Sequence, residues 1–417
     1  MRNTLDEVGI DTSNLYVDEE VNTTLAFVHT FPDGDREFSF YRNPGADMML
    51  SVDEVKPEFI EQARLFHFGT LSMTHEGVRE ATKKAVQTAK EKGLLEIVSS
   101  DLDEKFLDVV QTQQQNPEAV AEVADTFKLI YTPFHGTGSR PIKAILNRMG
   151  FKNVLVVKEQ DTEDGNFPTV KSPNPEDKEG FEIAIKMAKE NDVDVIIGTD
   201  PDCDRVGIVV RDADGIYRTL TGNQTGALLV EYILSSKKAK GTLPENGVVI
   251  KTIVTTELAA AIAHSYGIEI MNVLTGFKYI GEKMTEFAKT GDHTYLIGFE
   301  ESYGYLVGTH ARDKDGVVAT MLIAEMAAYY KTKGKSLYEA LMDIYKKYGY
   351  YSEKTVSFVM PGKDGMEKMS QLLTDLRQTP PTKVAGMDVV LYTDYQSQTI
   401  KDTKGNVSPL KGLPKSN

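Results

Sequence analysis

Residues 193–210, VDVIIGTDPDCDRVGIVV, set two continuous apolar runs on either side of a loop holding three aspartates and an arginine. Strands that are apolar on both faces have to be covered on both faces, as at the centre of an α/β sheet flanked by helices. The surrounding chain follows the same grammar. FKLIYTPF reads as a strand, followed by the loop HGTGSR and the helix PIKAILNRMG, with Pro141 suited to the first helical position and Gly150 to the stop. NVLVVKE is the next strand, and the helix EGFEIAIKMAKEN leads into VDVIIG. Further on, TYLIGFEESYGYLVG reads as a strand and loop, and DGVVATMLIAEMAAYYKTKG as a strongly apolar helix ending at Gly334.

Toward the amino terminus, TTLAFVHT and REFSFYR flank the turn signal PDGD and read as a hairpin. RLFHFGTLSM reads as a strand, and THEGVREATKKAVQTAKEKG as a helix with Thr74 as N-cap and Gly93 as stop. Breaks at LPENG (243–247) and MPGKDG (360–365), together with a polar Gln-bearing stretch from 94 to about 125, divide the 417 residues. The expected segments are 1–93, a helical connector 94–125, then 126–240, 241–358 and 359–417.

Charge and cysteine usage narrow the function. The formal net charge of −15 disfavours nucleic-acid and anionic-membrane partners, which need concentrated Lys and Arg. One cysteine excludes an intramolecular disulfide framework and any multi-cysteine zinc or iron–sulfur site. No apolar run approaches the ~18 residues of a membrane span, and the first residues lack the apolar core of a secretory signal, so a cytoplasmic protein is expected.

The sharpest chemical signal is Asp200-Pro-Asp202-Cys-Asp204-Arg205, at the strand end where α/β sheets place ligands. In an extended segment alternate residues project to one side, so the three carboxylates would repel unless a divalent cation neutralises them. All-oxygen ligation suits Mg²⁺. The plain alternative is a solvated acidic turn. An EF-hand fails, because Arg205 stands where Gly is required and Arg211 where the closing Glu belongs. Cys203, between carboxylates, reads as a spacer whose thiolate is disfavoured.

Other loops are weaker signals. The glycines of His135-Gly-Thr-Gly-Ser139-Arg140 free backbone N–H groups for an anion, or simply make a tight turn. Glu300, Glu301 and Ser302 offer donors and acceptors for sugar hydroxyls, or a solvated loop. Arg312 and Lys314 open the apolar helix with a cation for phosphate and an amine able to move a proton, or with capping charge. Lys278, in Thr275-Gly-Phe-Lys, could meet a phosphate or face solvent.

Together TPFHGTGSRP, DGNFPTVKSPNPE (164–176), GTDPDCDR, TGFKYIG and GFEESYGYLVGTHARDKDG resemble the α-D-phosphohexomutases, within which they look most like bacterial phosphoglucomutase/phosphomannomutase, over about residues 95–417. The resemblance implies an α/β fold of mixed-sheet domains, domains II and III with part of domain IV. It also implies transfer of a phosphoryl group between the 1- and 6-positions of a hexose through a phosphoserine. Asp200, Asp202 and Asp204 would hold Mg²⁺, with Arg205 beside the centre and Lys314 as candidate proton carrier. Glu300 and Ser302 would grip the sugar, with Lys278 and Arg312 as further substrate-binding candidates. The implied ligands are glucose 1-phosphate, glucose 6-phosphate and glucose 1,6-bisphosphate. Two departures stand out: the sequence contains neither the family's Ser-His-Asn-Pro nucleophile loop nor its Arg-x-Ser-Gly-Thr phosphate loop, so this chain is expected to be inactive by itself.

Residues of about 20–93 resemble instead an internal piece of a ribokinase-like fructokinase, without the Gly-Ala-Gly-Asp catalytic loop of that family. Arg42, Asn43 and Asp47 are given no role, because strands lifted out of their sheet cannot keep a site's geometry. This incomplete α/β fragment is expected to be the least well packed part. Alternative readings are a sugar kinase, a non-catalytic hexose-phosphate-binding module, and a hydrolase using Asp200 as nucleophile. The last is weakened by Asp204, where Thr or Val would be expected.

Overall fold

The structure, a computed structural model, describes residues 2–30, 36–96, 99–353, 362–384, 386–411 and 413. The chain divides into two compact units, Ser100–Ser357 and the combination of Met1–Ser99 with Phe358–Asn417. The PDGD turn lies outside the described residues, as does part of the MPGKDG break.

In the first unit α1 (Arg2–Glu7) precedes β1 (Leu25–Thr30) and β2 (Arg36–Tyr41). These strands pair antiparallel from Leu25 opposite Tyr41 to Thr30 opposite Arg36, as the hairpin reading expects. α2 (Pro57–Gln62) starts on its proline, and α3 (Glu76–Glu91) buries Val78, Ala81, Thr82, Ala85 and Ala89 at helical spacing. Two expectations fail here. RLFHFGTLSM is not a strand: its first half is irregular and Thr70–Met73 is a single 3₁₀ turn. Alternating apolar residues make a strand only beside a partner able to satisfy its backbone N–H and C=O groups, and none of the described strands lies against it. His75, not Thr74, occupies the N-cap position of α3.

The second unit begins with α4 (Ser100–Gln111) and α5 (Pro117–Val123), in the stretch expected to be a polar connector. It is helical but contributes more than a link, since Leu107, Val110, Val120 and Val123 are buried in the main core. β3 (Lys128–Thr132), α6 (Ser139–Arg148), β4 (Asn153–Val156), α7 (Glu182–Asn191), β5 (Val195–Thr199), β6 (Val206–Arg211) and β7 (Tyr217–Thr219) follow. α6 starts two residues before Pro141, which is therefore its third residue. The sheet runs β4-β3-β5-β6-β7, with β3 parallel to β4 and β5, and β5 antiparallel to β6. The mixed sheet follows from the short acidic loop between β5 and β6, because a parallel crossover needs a dozen or more residues.

A second layer set follows: α8 (Gly222–Ala239), β8 (Gly247–Thr252), α9 (Glu257–Ser265), β9 (Glu269–Val273), α10 (Phe277–Thr290), β10 (Thr294–Phe299) and β11 (Tyr305–Leu306). Its sheet runs β11-β10-β8-β9, with β8 parallel to β9 and β10, and β10 antiparallel to β11. α11 (Gly316–Thr332) and α12 (Leu337–Tyr348) close the unit. Residues 316–328 of α11 are buried without interruption, matching its apolar circumference. One continuous apolar cluster joins both sheets to α8 and α11. The remaining described elements are α13 (Gly362–Gln378), the pair β12 (Lys383–Val384) and β13 (Met387–Asp388), and the antiparallel sheet β14 (Leu391–Asp394), β15 (Thr399–Asp402) and β16 (Val407–Pro409). Among the described residues no helix is long and apolar enough to cross a membrane.

Candidate active site

The three aspartates converge, though not by strand alternation. β5 ends at Thr199 and β6 begins at Val206, so 200–205 is a tight loop between paired strands. Asp200 folds it: its Oδ1 accepts the N–H of Asp204 at 3.0 Å and of Arg205 at 2.9 Å, while its carbonyl accepts the N–H of Cys203 at 3.0 Å. Cys203 takes a left-handed φ of +59° to complete the curl. One oxygen each from Asp200, Asp202 and Asp204 then lie within 4.8 Å of one another. Burial pushes the Asp200 carboxyl up to about 7; the Arg205 N–H opposes this, and the charges of Asp204 and Asp202 add to it. Asp200 is buried, Asp204 half-buried and Asp202 exposed, an all-oxygen set open on one side that suits a hard divalent cation. Burial, then the charges of Asp315 and Asp200, also push the Cys203 thiol up, as its reading as a spacer expects.

Two cations flank the aspartates. The Lys314 Nζ lies 2.8 Å from Asp204 Oδ2. Burial pulls its ammonium down, but the Asp204 hydrogen bond and charge outweigh this and hold it above the usual lysine range. Arg205 is held more loosely, its Nε 3.8 Å from both Asp200 Oδ2 and Asp204 Oδ1, and its Nη1 3.7 Å from Glu176 Oε1.

The loop between β10 and β11 is tied to this centre through its backbone. Val206 N–H donates to the Tyr303 carbonyl at 2.9 Å, and Arg205 and Gly304 form an isolated antiparallel bridge. Gly316 N–H, opening α11, donates to the Cys203 carbonyl at 2.9 Å. The 200–205 loop, the loop between β10 and β11 and the start of α11 are thus hydrogen-bonded together. Gly304 is needed for the closeness: a Cβ there would stand 2.3 Å from Lys314 Cδ, in the path the lysine takes to Asp204. Glu300 Oε1 accepts the Gly276 N–H at 3.0 Å, bringing the Thr275–Lys278 loop alongside. Burial raises the Glu300 carboxyl, against the Lys314 charge.

The other expected residues are placed less centrally. Ser302 is half-buried in the loop, whereas Lys278 is exposed, with its ammonium 4.8 Å from the ring of Tyr279. Arg312 is committed to its own surroundings, donating to the carbonyls of Thr309 at 2.7 Å and Ala311 at 3.0 Å and to Thr285 Oγ1 at 3.3 Å. The HGTGSR loop packs on the 200–205 loop, with Thr137 N–H donating to the Pro201 carbonyl at 2.8 Å, while Ser139 turns away to Asp161 at 2.5 Å. Sequence reasoning missed Glu176, Gly276 and Gly304 as site members. Each lies in a run already singled out, but nothing in local spacing shows that they meet across loops.

The phosphoglucomutase/phosphomannomutase α/β/α domain II model matches residues 104–215, and the corresponding domain III model matches residues 221–348. Residues 104–348 of this chain belong to the α-D-phosphohexomutase family. A phosphoglucomutase of Staphylococcus haemolyticus is 37% identical over 290 residues, covering 70% of this chain and 52% of the relative. One from Staphylococcus saprophyticus is 33% identical over 327 residues, covering 78% and 58%. The crystal structure of parafusin, a phosphoglucomutase of Paramecium, shares 18% identity with a TM-score of 0.47, covering 74% of this chain and 53% of that one. The chain spans little more than half the length of these curated relatives. The pfkB carbohydrate kinase family model matches residues 1–128, reaching beyond the expected limit at 93 and overlapping domain II over 104–128.

Proposed function

We propose that this chain is a cytoplasmic protein that binds Mg²⁺ through Asp200, Asp202 and Asp204 and a hexose phosphate beside it, in the manner of a phosphoglucomutase/phosphomannomutase. The observation that carries the reading is the convergence of three carboxylate oxygens within 4.8 Å, with Lys314 2.8 Å from one of them. A bound divalent cation supplies charge neutralisation for phosphoryl oxygens. The protein's own groups do the rest. Glu300 and Ser302 orient the sugar hydroxyls, Arg205 offers a guanidinium to phosphoryl oxygens, and Lys314, hydrogen-bonded to Asp204, holds a proton that it can give to a sugar oxygen. Lys278 and Arg312 are second-rank substrate contacts.

Phosphohexomutase turnover needs a phosphoserine, and the sequence contains no Ser-His-Asn-Pro loop. We therefore expect binding without interconversion of glucose 1-phosphate and glucose 6-phosphate by this chain alone. Calorimetry tests both halves: Mg²⁺ and glucose 1,6-bisphosphate should bind, and Asp202→Asn should abolish the Mg²⁺ heat. A wild-type chain that binds neither refutes the reading, and turnover in a coupled assay refutes the inactivity. The pfkB match over 1–128 supports a second reading, a sugar kinase. ATP-dependent phosphorylation of fructose would establish it.

A further inference from the structure

Glu301 sits between the two residues proposed for the sugar, and its carboxylate is held at the carboxyl end of β8. Its Oε2 lies 3.0 Å from Thr252 Oγ1 and 3.1 Å from Thr255 Oγ1, and the two hydroxyls lie 2.6 Å apart. Counting protons orders this triangle. Two hydroxyl hydrogens cannot serve three contacts, and hydroxyl oxygens 2.6 Å apart need a hydrogen between them, so one runs between the threonines and the other to the carboxylate. Both threonines are buried. Beneath them Lys251 is 0% exposed, and its three ammonium protons have three acceptors: the Thr252 carbonyl at 3.4 Å, the Thr255 carbonyl at 3.0 Å and Glu257 Oε1 at 2.9 Å. A buried lysine is costly unless fully satisfied, and this one spends its bonds on both ends of a single turn.

The far side of the loop is equally constrained, because a Cβ at Gly222 would stand 2.0 Å from the Glu301 carbonyl. The 300–302 segment is therefore gripped between the first turn of α8 and the 252–255 turn. We propose that Thr252 and Thr255, supported by Lys251, are positioning residues that act through Glu301 to set the orientation of Glu300 and Ser302 toward a hexose phosphate. This rests on the sugar-binding role proposed above for Glu300 and Ser302.

The test compares the full chain with Thr255→Val, which keeps shape and loses the hydroxyl, Thr255→Ser, which keeps the hydroxyl, and Glu301→Gln. Affinity for glucose 1,6-bisphosphate and for Mg²⁺ alone is measured by calorimetry, and exchange of the 300–304 amides is followed in the free chain. Expected are a loss on the order of tenfold in bisphosphate affinity for Thr255→Val and Glu301→Gln, as for other residues that support a ligand-contacting group, near-wild-type binding for Thr255→Ser, and Mg²⁺ affinity kept within about twofold. The 300–304 amides should exchange faster in Thr255→Val and not in Thr255→Ser. Equal bisphosphate affinity across the set, a parallel fall in Mg²⁺ affinity, or unchanged exchange in Thr255→Val overturns the positioning role. A wild-type chain that binds no bisphosphate overturns the sugar reading and the proposal built on it, whereas failure of the positioning role alone leaves wild-type binding intact.

Discussion

A methyl group added at Gly304 and one added at Gly316 meet different obstacles. At Gly304 the obstacle is the stem of Lys314, with Cδ at 2.3 Å and Cγ at 2.7 Å, a side chain that can swing aside. At Gly316 it is backbone, the carbonyl oxygen of Cys203 at 2.5 Å and its carbon at 3.0 Å. Gly304→Ala should therefore cost only about 1 kcal/mol while breaking the Lys314–Asp204 pair, and Gly316→Ala about 3 kcal/mol with the 200–205 loop displaced. Urea denaturation of the two variants checks the order, and equal costs would contradict it. The lysine also carries a positive charge beside the aspartates. Lys314→Met should tighten Mg²⁺ by about 1 kcal/mol, roughly fivefold, the upper range for a partly exposed ion pair. Unchanged or weaker Mg²⁺ binding in calorimetry would show that this charge does not reach the site.

At the scale of elements, α11 is anchored by one buried acid. Glu325, 0% exposed, accepts the Gln115 N–H at 2.6 Å, the Gln114 amide at 3.1 Å and the Tyr232 hydroxyl at 2.7 Å, joining α11 to α8 and to the turn between α4 and α5. Glu325→Ala strands these donors and should cost about 2–4 kcal/mol, while Glu325→Gln keeps an acceptor and costs far less. Burial also raises the Glu325 carboxyl above its usual 4.5, against the hydrogen bonds it receives. The folded state thus holds its proton to higher pH than the unfolded state. Stability from this group is greatest below pH 4.5 and is lost as pH rises through the raised value. Denaturant midpoints measured across that window should fall less steeply in Glu325→Gln than in wild type, and identical slopes would rule the effect out. These contacts mark what the sequence could and could not show. The strands around GTDPDCDR and the apolar α11 were legible because each is a continuous local pattern. RLFHFGTLSM misled because none of the described strands lies against it, and the 94–125 stretch because its apolar residues are interleaved with charged residues and glutamines although Leu107 and Val110 face the core. The aspartates were legible as a cluster, but their convergence comes from the Asp200 hydrogen bonds within the loop, and Glu176, Gly276 and Gly304 join the candidate site only through tertiary crossings that no spacing encodes.

For the whole molecule, cohesion is distributed unevenly. Both large apolar clusters among the described residues lie within 100–357, whereas the cluster in 1–99 is Ile60, Ala85 and Ala89. Large apolar side chains in 1–99 are also partly exposed, Leu65 at 87%, Phe68 at 42% and Phe59 at 41%. Since burial stabilises by roughly 25 cal/mol per Å² of apolar surface, leaving such side chains in water gives the segment less to offset its chain entropy. Every residue assigned to the cation and the sugar lies between Asp200 and Lys314, inside the well-packed unit. A fragment of residues 100–357 should therefore fold cooperatively and bind Mg²⁺ within about twofold of the full chain, since deleting groups that do not touch a site changes its affinity little. In the full chain, calorimetry should resolve a weak early transition from a strong later one, with the α3 amides exchanging at the first and those of α8 and α11 only at the second. A single transition with α3 protected as well as α11 would mean that 1–99 draws stability from contacts its own apolar cluster does not supply, and that the kinase-like and mutase-like segments fold as one.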